Sequence, residues 1–345
     1  LQVQTGRAAA IRFLKVSPES SKVVVARALL PEGERLLAER FTVSSGGLDA
    51  GRRELLDLVP GAAAIVADPT VGIDRVVLEA AGPSLRLVAN FAVGYDNVDL
   101  GECARRGVVV TNTPDVLTDA TAELALGLTL AAARQTPQAE KTLRDGGWTG
   151  WDPGAFHGSE LSGASFGIVG MGRIGLRYSQ LVSPMAGEIL YFSRSRSDFA
   201  ERSLDARRVS LEVLLGEADV ISLHLPAGSG GHLIGADEIA LMKQDAVLVN
   251  TARGALVDSE ALARALFSGS IGSAALDVFE NEPAVPAALL EAPRLVLTPH
   301  IGSATARARG RMAELAARNV IAVLSGEQPL TEVRATPDGR ADPRK

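Results

Sequence analysis

Gly170, Gly172 and Gly175 stand in G-x-G-x-x-G spacing directly after an apolar run ending at Ile168 and Val169, and this limits the possible folds more than any other feature of the chain. The first glycine allows a tight turn, the second lets a pyrophosphate approach the backbone, and the third lets a helix pack against the preceding strand. With 35 glycines in 345 residues the spacing alone would mean little. Its context gives it weight: residues 173–182 have helical periodicity, and 188–192 read as a second strand, which completes a βαβ unit. Residues 166–175, with Met171, Arg173 and Ile174 inside the motif, are therefore expected to wrap a dinucleotide at a helix N-terminus.

The residues closing the second strand bear on which dinucleotide. NAD-binding units usually place Asp or Glu there, bonded to the ribose 2′-hydroxyl. This chain has Ser193, Arg194, Ser195 and Arg196. A guanidinium and serine hydroxyls suit a 2′-phosphate that a carboxylate would repel, so NADP(H) is favoured over NAD(H).

Short β-rich runs alternate with helical patterns along the chain, the signature of parallel α/β layers. The first block offers strands at 23–26, 64–66, 85–89 and 108–111, with helices such as 32–39 and 73–80 between them. A long apolar helix at 120–134 and a Gly/Trp/Pro-rich stretch at 145–158 mark a domain crossing. The second block supplies six strands, at 165–169, 189–192, 220–225, 246–250, 274–276 and 295–298. The fold class expected is α/β with two doubly wound parallel-sheet domains. Residues 1–20 and 331–345 read as loose tails.

The formal charge of −6 gives no nucleic-acid footprint. Cys103 is the only cysteine, so no intrachain disulfide forms, no metal cluster is indicated, and the residue reads as an inert helix position. No apolar run reaches the roughly 18 residues of a membrane span, which makes a cytoplasmic protein without membrane partners the default expectation.

Chemistry-bearing residues gather where the later strands end. Asn250 leads into Thr251, Ala252 and Arg253; Leu276 into Asp277, Glu280 and Glu282; Thr298 into His300 and Gly302. In an open parallel sheet the carboxyl ends of the strands form the ligand crevice, so a cation, carboxylates and an imidazole share a rim with the glycine fingerprint. Arg253 presents a planar fork suited to a carboxylate, and His300 has the side chain best placed to exchange a proton near neutrality. His157, His224 and His232 lack such a context.

Gly-Ile-Val-Gly-Met-Gly-Arg-Ile-Gly at 167–175, Asn-Thr-Ala-Arg-Gly at 250–254, Leu-Asp-Val-Phe-Glu-Asn-Glu-Pro at 276–283 and Thr-Pro-His-Ile-Gly-Ser-Ala-Thr at 298–305 together resemble the D-isomer-specific 2-hydroxyacid dehydrogenases, most nearly their glyoxylate/hydroxypyruvate reductases. The resemblance runs from about Val23 to Leu324 and includes 93–99 and 111–123. It implies a Rossmann dinucleotide-binding domain at 117–302 and a flavodoxin-like substrate domain split between 21–116 and 303–330, with the active site between them and a homodimer as the usual assembly. Arg253, Glu282 and His300 fall on the family's catalytic positions, with Glu282 supporting the His300 imidazolium. Val93 and Gly94 match a loop whose backbone meets the substrate carboxylate, and Asp277 matches the contact to the nicotinamide carboxamide. Thr121, Leu225, Pro226, Thr251, Ala252 and Gly302 fall along the cofactor groove.

The expected reaction is NADPH-dependent reduction of a small anionic 2-oxo acid, glyoxylate or hydroxypyruvate, to the D-2-hydroxy acid. Bulkier 2-oxo acids share the same carboxylate and carbonyl and stay open as substrates. The C-terminal binding proteins, corepressors that look like these enzymes and sense dinucleotides, are the alternative of a different class. The glycine-rich turn at 228–231 departs from the family, and Val93 stands where phosphite-oxidising relatives carry lysine, which argues against that reaction.

Overall fold

Runs that are apolar at every residue, such as Val23, Val24 and Val25 or Val247, Leu248 and Val249, are stable in water only inside a sheet covered on both faces. The computed structural model, which describes residues 21–226 and 231–334, places them so. It divides into two units, one built up to Val116 and again from Thr305, the other from Leu117–Ala304.

The first unit holds a five-stranded parallel sheet of β1 (Lys22–Val25), β2 (Thr42–Ser45), β3 (Ala64–Ala67), β4 (Leu87–Asn90) and β5 (Val109–Thr111), in the order β2-β1-β3-β4-β5. This is the flavodoxin-like order. One face buries Val24, Ile65, Val88 and Val110, and the other Val23, Val25, Leu87 and Ala89. Each fully buried Val or Leu contributes about 1.5–3 kcal/mol. The second face is closed by the helix Ala306–Leu324, whose Ala313, Ala316, Ala317, Val320, Val323 and Leu324 form its apolar stripe.

Two expectations for this unit are corrected. Strand β2 escaped the sequence reading because Thr-Val-Ser-Ser is a polar edge strand without a buried residue. The tail does not come loose at residue 331: the Val333 N–H donates to the Val110 carbonyl at 2.8 Å, the Asn112 N–H donates to the Thr331 carbonyl at 3.3 Å, and Glu332 bridges Thr111 antiparallel. These bonds satisfy the open edge of β5. The rest of the expected tails, 1–20 and 335–345, lies outside the described residues.

The second unit contains β6 (Ala164–Val169), β7 (Ala186–Phe192), β8 (Arg207–Arg208), β9 (Val220–Leu223), β10 (Val247–Asn250), β11 (Ser273–Leu276) and β12 (Leu295–Leu297). All pair in parallel, in the order β12-β11-β10-β9-β6-β7-β8. This is the Rossmann order with one strand added, and the connection reverses direction between β6 and β9. The two-residue β8 makes seven strands where six were expected. The expected strand 220–225 stops at Leu223, which leaves His224 and Leu225 in the loop at its carboxyl end.

The helix Thr118–Ala133 is apolar nearly all round and packs against β10, β11 and the helix Arg173–Val182. Tyr178 of the latter is fully buried, and its hydroxyl lies 2.8 Å from Thr129 Oγ1. Cys103 is buried in the helix Leu100–Arg105, where loss of solvation pushes its thiol up to about 12. It stays a thiol at neutral pH and lacks the thiolate a nucleophile needs. No helix among the described residues is long and apolar enough to cross a membrane.

Candidate active site

The glycine turn is fixed on both sides by backbone bonds. The Gly170 N–H donates to the Phe192 carbonyl at 2.8 Å, and the His224 N–H donates to the Val169 carbonyl at 2.7 Å. Gly170 has a φ of 103° and a Cβ there would overlap the His224 carbonyl; one on Gly175 would collide with the Gly170 carbonyl. A Cβ on Gly172, by contrast, would meet nothing within 4 Å. The first and third glycines thus pack against protein, and the second faces open space where a pyrophosphate fits. The helix Arg173–Val182 begins there with Gly172 as its N-cap, and a helix N-terminus favours an anion.

At the carboxyl end of β10, Asn250 organises the next turn. Its Nδ2 donates to the Arg253 carbonyl at 2.8 Å, and its Oδ1 accepts from the Ala252 N–H at 3.0 Å. Arg253 Nη1 donates to the Ala252 carbonyl at 2.6 Å. Gly254 then packs so tightly on the backbone of Phe279 and Glu280 that a Cβ would overlap both. The loops after β10 and β11 therefore touch, and the charge of Arg253 is felt at Glu282.

The imidazole and carboxylate meet directly. His300 Nδ1 donates to Glu282 Oε2 at 2.6 Å, while Glu282 Oε1 accepts from the Phe279 N–H at 2.9 Å. With Nδ1 carrying that proton, Nε2 is the nitrogen left for chemistry. Burial alone would raise the Glu282 carboxyl, but the His300 bond, the Phe279 N–H and the charges of His300 and Arg253 outweigh it and hold the group below its ordinary range. Glu280 points elsewhere: its Oε1 lies 2.6 Å from His232 Nε2. Of the two candidate carboxylates, only Glu282 reaches His300.

His300 has a φ of 51°, a left-handed conformation that a non-glycine residue keeps only under constraint. Asp277 supplies the constraint. Its backbone carbonyl accepts from the His300 N–H at 2.9 Å. Its carboxylate accepts from Thr298 Oγ1 at 2.6 Å and from the N–H groups of Ile301 and Gly302, each at 2.8 Å. Burial pushes the Asp277 carboxyl upward against these donors. Thr121 Oγ1 completes the loop by donating to the Gly302 carbonyl at 3.1 Å.

An asparagine amide in place of the Asp277 carboxylate would present one acceptor and one donor where three hydrogens now converge. Asp277→Asn is therefore expected to cost about 1–3 kcal/mol of stability and to lower kcat while leaving the KM for cofactor near the parental value. A rise in cofactor KM at unchanged kcat would assign Asp277 to the carboxamide instead.

Known proteins similar to this chain identify its family. Residues 126–302 match the family model described as D-isomer specific 2-hydroxyacid dehydrogenase, NAD binding domain. A glyoxylate reductase of Thermococcus litoralis is 47% identical over 283 residues, covering 81% of this chain and 85% of the relative. That of Pyrococcus furiosus is 46% identical over 319 residues, with 90% and 95% covered. The chain belongs to the D-isomer-specific 2-hydroxyacid dehydrogenase family.

Two crystal structures show the same fold. One, of a Thermus thermophilus protein, has a TM-score of 0.84 at 41% identity and covers 90% of this chain and 99% of its own. The other is an NADPH-dependent glyoxylate/hydroxypyruvate reductase of Sinorhizobium meliloti with NADP and malonate, at TM-score 0.80 and 35% identity, covering 94% and 99%. As a dehydrogenase of this family the protein is an NAD(P)-dependent oxidoreductase, and its residues fit such a cofactor. Besides the glycine cradle, Thr251 Oγ1 is a buried polar atom without a partner among the described residues, at a strand end on the cofactor rim.

Other expectations fall as follows. Leu225 and Pro226 lie in the loop after β9, whereas residues 227–230 of the glycine-rich turn lie outside the described residues. Val93 and Gly94 belong to the first unit, where Asn112 Nδ2 bonds the Val93 carbonyl at 2.8 Å and Asn90 Nδ2 the Gly94 carbonyl at 2.7 Å. Burial pushes the His224 imidazole down to about 3, and its Nε2 lies 2.9 Å from Ser222 Oγ. It is a neutral structural group under the glycine turn. Trp148 and Trp151 are 61% and 84% exposed.

Ser193, Arg194 and Ser195 follow β7, with Arg194 and Ser195 exposed. Arg196 pairs with Glu201. Sequence reasoning missed Arg208, whose guanidinium bonds the carbonyls of Ser193 and Arg194. The signal available was the Arg-Arg pair at 207–208, readable only once β8 is known to lie beside β7.

Proposed function

We propose that this protein reduces a small 2-oxo acid of the glyoxylate or hydroxypyruvate type to its D-2-hydroxy acid, with NADPH preferred over NADH. The observation that carries the reading is the His300–Glu282 bond of 2.6 Å on the same strand-end rim as the glycine cradle, in a chain whose relatives are glyoxylate reductases.

Gly170, Gly172, the N-terminus of the helix Arg173–Val182 and Thr251 would hold the dinucleotide. The nicotinamide, when bound, supplies the hydride. Arg253 binds the substrate carboxylate with its planar fork and polarises the neighbouring carbonyl. As the carbonyl oxygen becomes an alkoxide, His300 Nε2–H gives it a proton. The Glu282 carboxylate, held on Nδ1, stabilises the imidazolium before transfer and fixes the ring plane, much as a buried carboxylate orients histidine in other acid-base pairs. In the oxidative direction the same Nε2 accepts the proton. A homodimer completes the reading; Trp148, Trp151 and Phe156 are exposed aromatic side chains within one short stretch that a second copy would cover.

NADPH and NADH should be crossed with glyoxylate, hydroxypyruvate, pyruvate and a bulky aryl 2-oxo acid, following loss of reduced-cofactor absorbance. The reading expects fastest turnover with NADPH and one of the two small acids; turnover on the aryl acid alone moves the substrate, and none with any acid overturns the reading. Arg194 is exposed and suits a 2′-phosphate, so Arg194→Ala is expected to raise the KM for NADPH about tenfold or more and to leave NADH little changed. Equal losses with both cofactors would refute the NADP assignment.

A further inference from the structure

The two-residue strand β8 stands at the edge of the second sheet and pairs Leu190 with Arg207 and Tyr191 with Arg208. Adjacent strand residues point to opposite faces, and the two arginines have different fates. Arg207 is taken up by acids, with Nε on Glu188 at 2.9 Å and Nη2 on Glu217 at 2.6 Å. Arg208 bonds only backbone among its described hydrogen bonds. Its Nε and Nη2 donate to the Ser193 carbonyl at 3.1 and 2.8 Å, and Nη2 also donates to the Arg194 carbonyl at 3.0 Å.

The charges around this turn decide what the arrangement is for. Glu201 is the acid on whose carboxyl Arg208 acts through its charge, yet Glu201 is already paired with Arg196 and accepts from the Tyr191 hydroxyl at 2.6 Å. These bonds hold the Glu201 carboxyl down to about 2, a fixed anion neutralised by a fixed cation. Arg194 and Arg208 are left as exposed cations with no carboxylate among the described residues in salt-bridge contact, on the turn that meets the adenosine ribose in a Rossmann unit. A guanidinium forked across two successive carbonyls fixes the path of the chain between them, which lysine, a point charge on a flexible stem, does not reproduce.

We infer that Arg208 is a positioning residue for cofactor choice: its fork across the Ser193 and Arg194 carbonyls presents the turn and the Arg194 side chain to a ribose 2′-phosphate. The inference deepens the NADPH reading and rests on it. Neutral replacement at Arg208 removes the clamp, and lysine keeps the charge while losing the fork.

The test is calorimetric titration of the full protein and its Arg208→Gln, Arg208→Lys and Arg194→Ala variants with 2′,5′-ADP and with 5′-AMP, neither of which carries the nicotinamide. The parent should prefer 2′,5′-ADP. Both Arg208 variants should lose at least about tenfold in affinity for it and bind 5′-AMP as the parent does. Parental affinity in Arg208→Lys overturns the positioning role, and an equal loss for both nucleotides reduces Arg208 to general support of the fold. If Arg194→Ala loses the preference while both Arg208 variants keep it, the NADPH reading stands and Arg208 has no part in it. A parent without preference removes the NADPH reading itself, and this inference with it.

Discussion

His300→Gln is expected to lower kcat for 2-oxo acid reduction by about 10²–10⁴-fold, with a small change in KM and a melting temperature close to the parent's. Glutamine keeps a polar side chain beside Glu282 Oε2, the atom that His300 Nδ1 now contacts at 2.6 Å, but it has no proton to exchange. The pH dependence gives the sharper check. Reduction consumes the proton on His300 and oxidation needs the neutral ring, so raising the pH should lower kcat/KM for reduction and raise it for oxidation. Glu282 is held below the ordinary carboxylate range by bonds that outweigh its burial. It is therefore anionic at neutral pH, and its support fails only on the acid side, as pH falls through its own lowered pKa. The variant should lose both slopes; if it keeps the parent's pH profile in each direction, His300 is not the acid-base group.

Gly254→Ala should be nearly as damaging, although the residue carries no chemistry. A Cβ at Gly254 would occupy the space of the Phe279 carbonyl and the Glu280 nitrogen. These are backbone atoms, which cannot swing aside as a flexible side-chain end can. One loop must move, and each carries part of the site: Arg253 precedes Gly254, and Glu282 follows Glu280. Overpacking of this kind costs about 1–3 kcal/mol, and a displacement of about 1 Å at a catalytic group costs about 10²-fold in rate. Loss of kcat/KM on that scale with a folded protein by circular dichroism is the expected result. Parental activity in Gly254→Ala would show that the two loops are not tightly coupled.

The parts of the fold that were legible in the sequence are those whose signals are local. Gly170, Gly172 and Gly175 follow a strand and open a helix, and the helix expected at 173–182 is the helix found. Central strands such as Val247–Asn250 announce themselves by unbroken apolar runs. Edge strands do not: Thr42–Ser45 has no buried residue, and Arg207–Arg208 is two exposed charges. Their strand character comes from the neighbour they pair with, which no short window contains.

The site divides the same way. Residue types at strand ends pointed to Arg253 and His300, but the choice of Glu282 over Glu280 rested on resemblance, because both follow β11 within a few residues. The structure separates them physically by pairing Glu280 with His232. The bonds from Asp277 to the His300 loop, and those from Arg208 to the turn after β7, are tertiary, and sequence spacing carries no trace of them.

The split first unit has a consequence for the order in which the protein is made. Its sheet is complete once β5 has been synthesised, but the helix that covers one face arrives only with Ala306–Leu324. At about 5–20 residues per second, a ribosome takes roughly 10–40 s to travel from β5 to the end of that helix. Throughout that interval Val23, Val25, Leu87 and Ala89 lack the stripe that buries them. The second unit, continuous in the chain, can close as it emerges. The amino-terminal half thus finishes last, and the newborn chain presents a bare apolar β-surface to chaperones and to other nascent chains until its carboxyl-terminal helix is delivered.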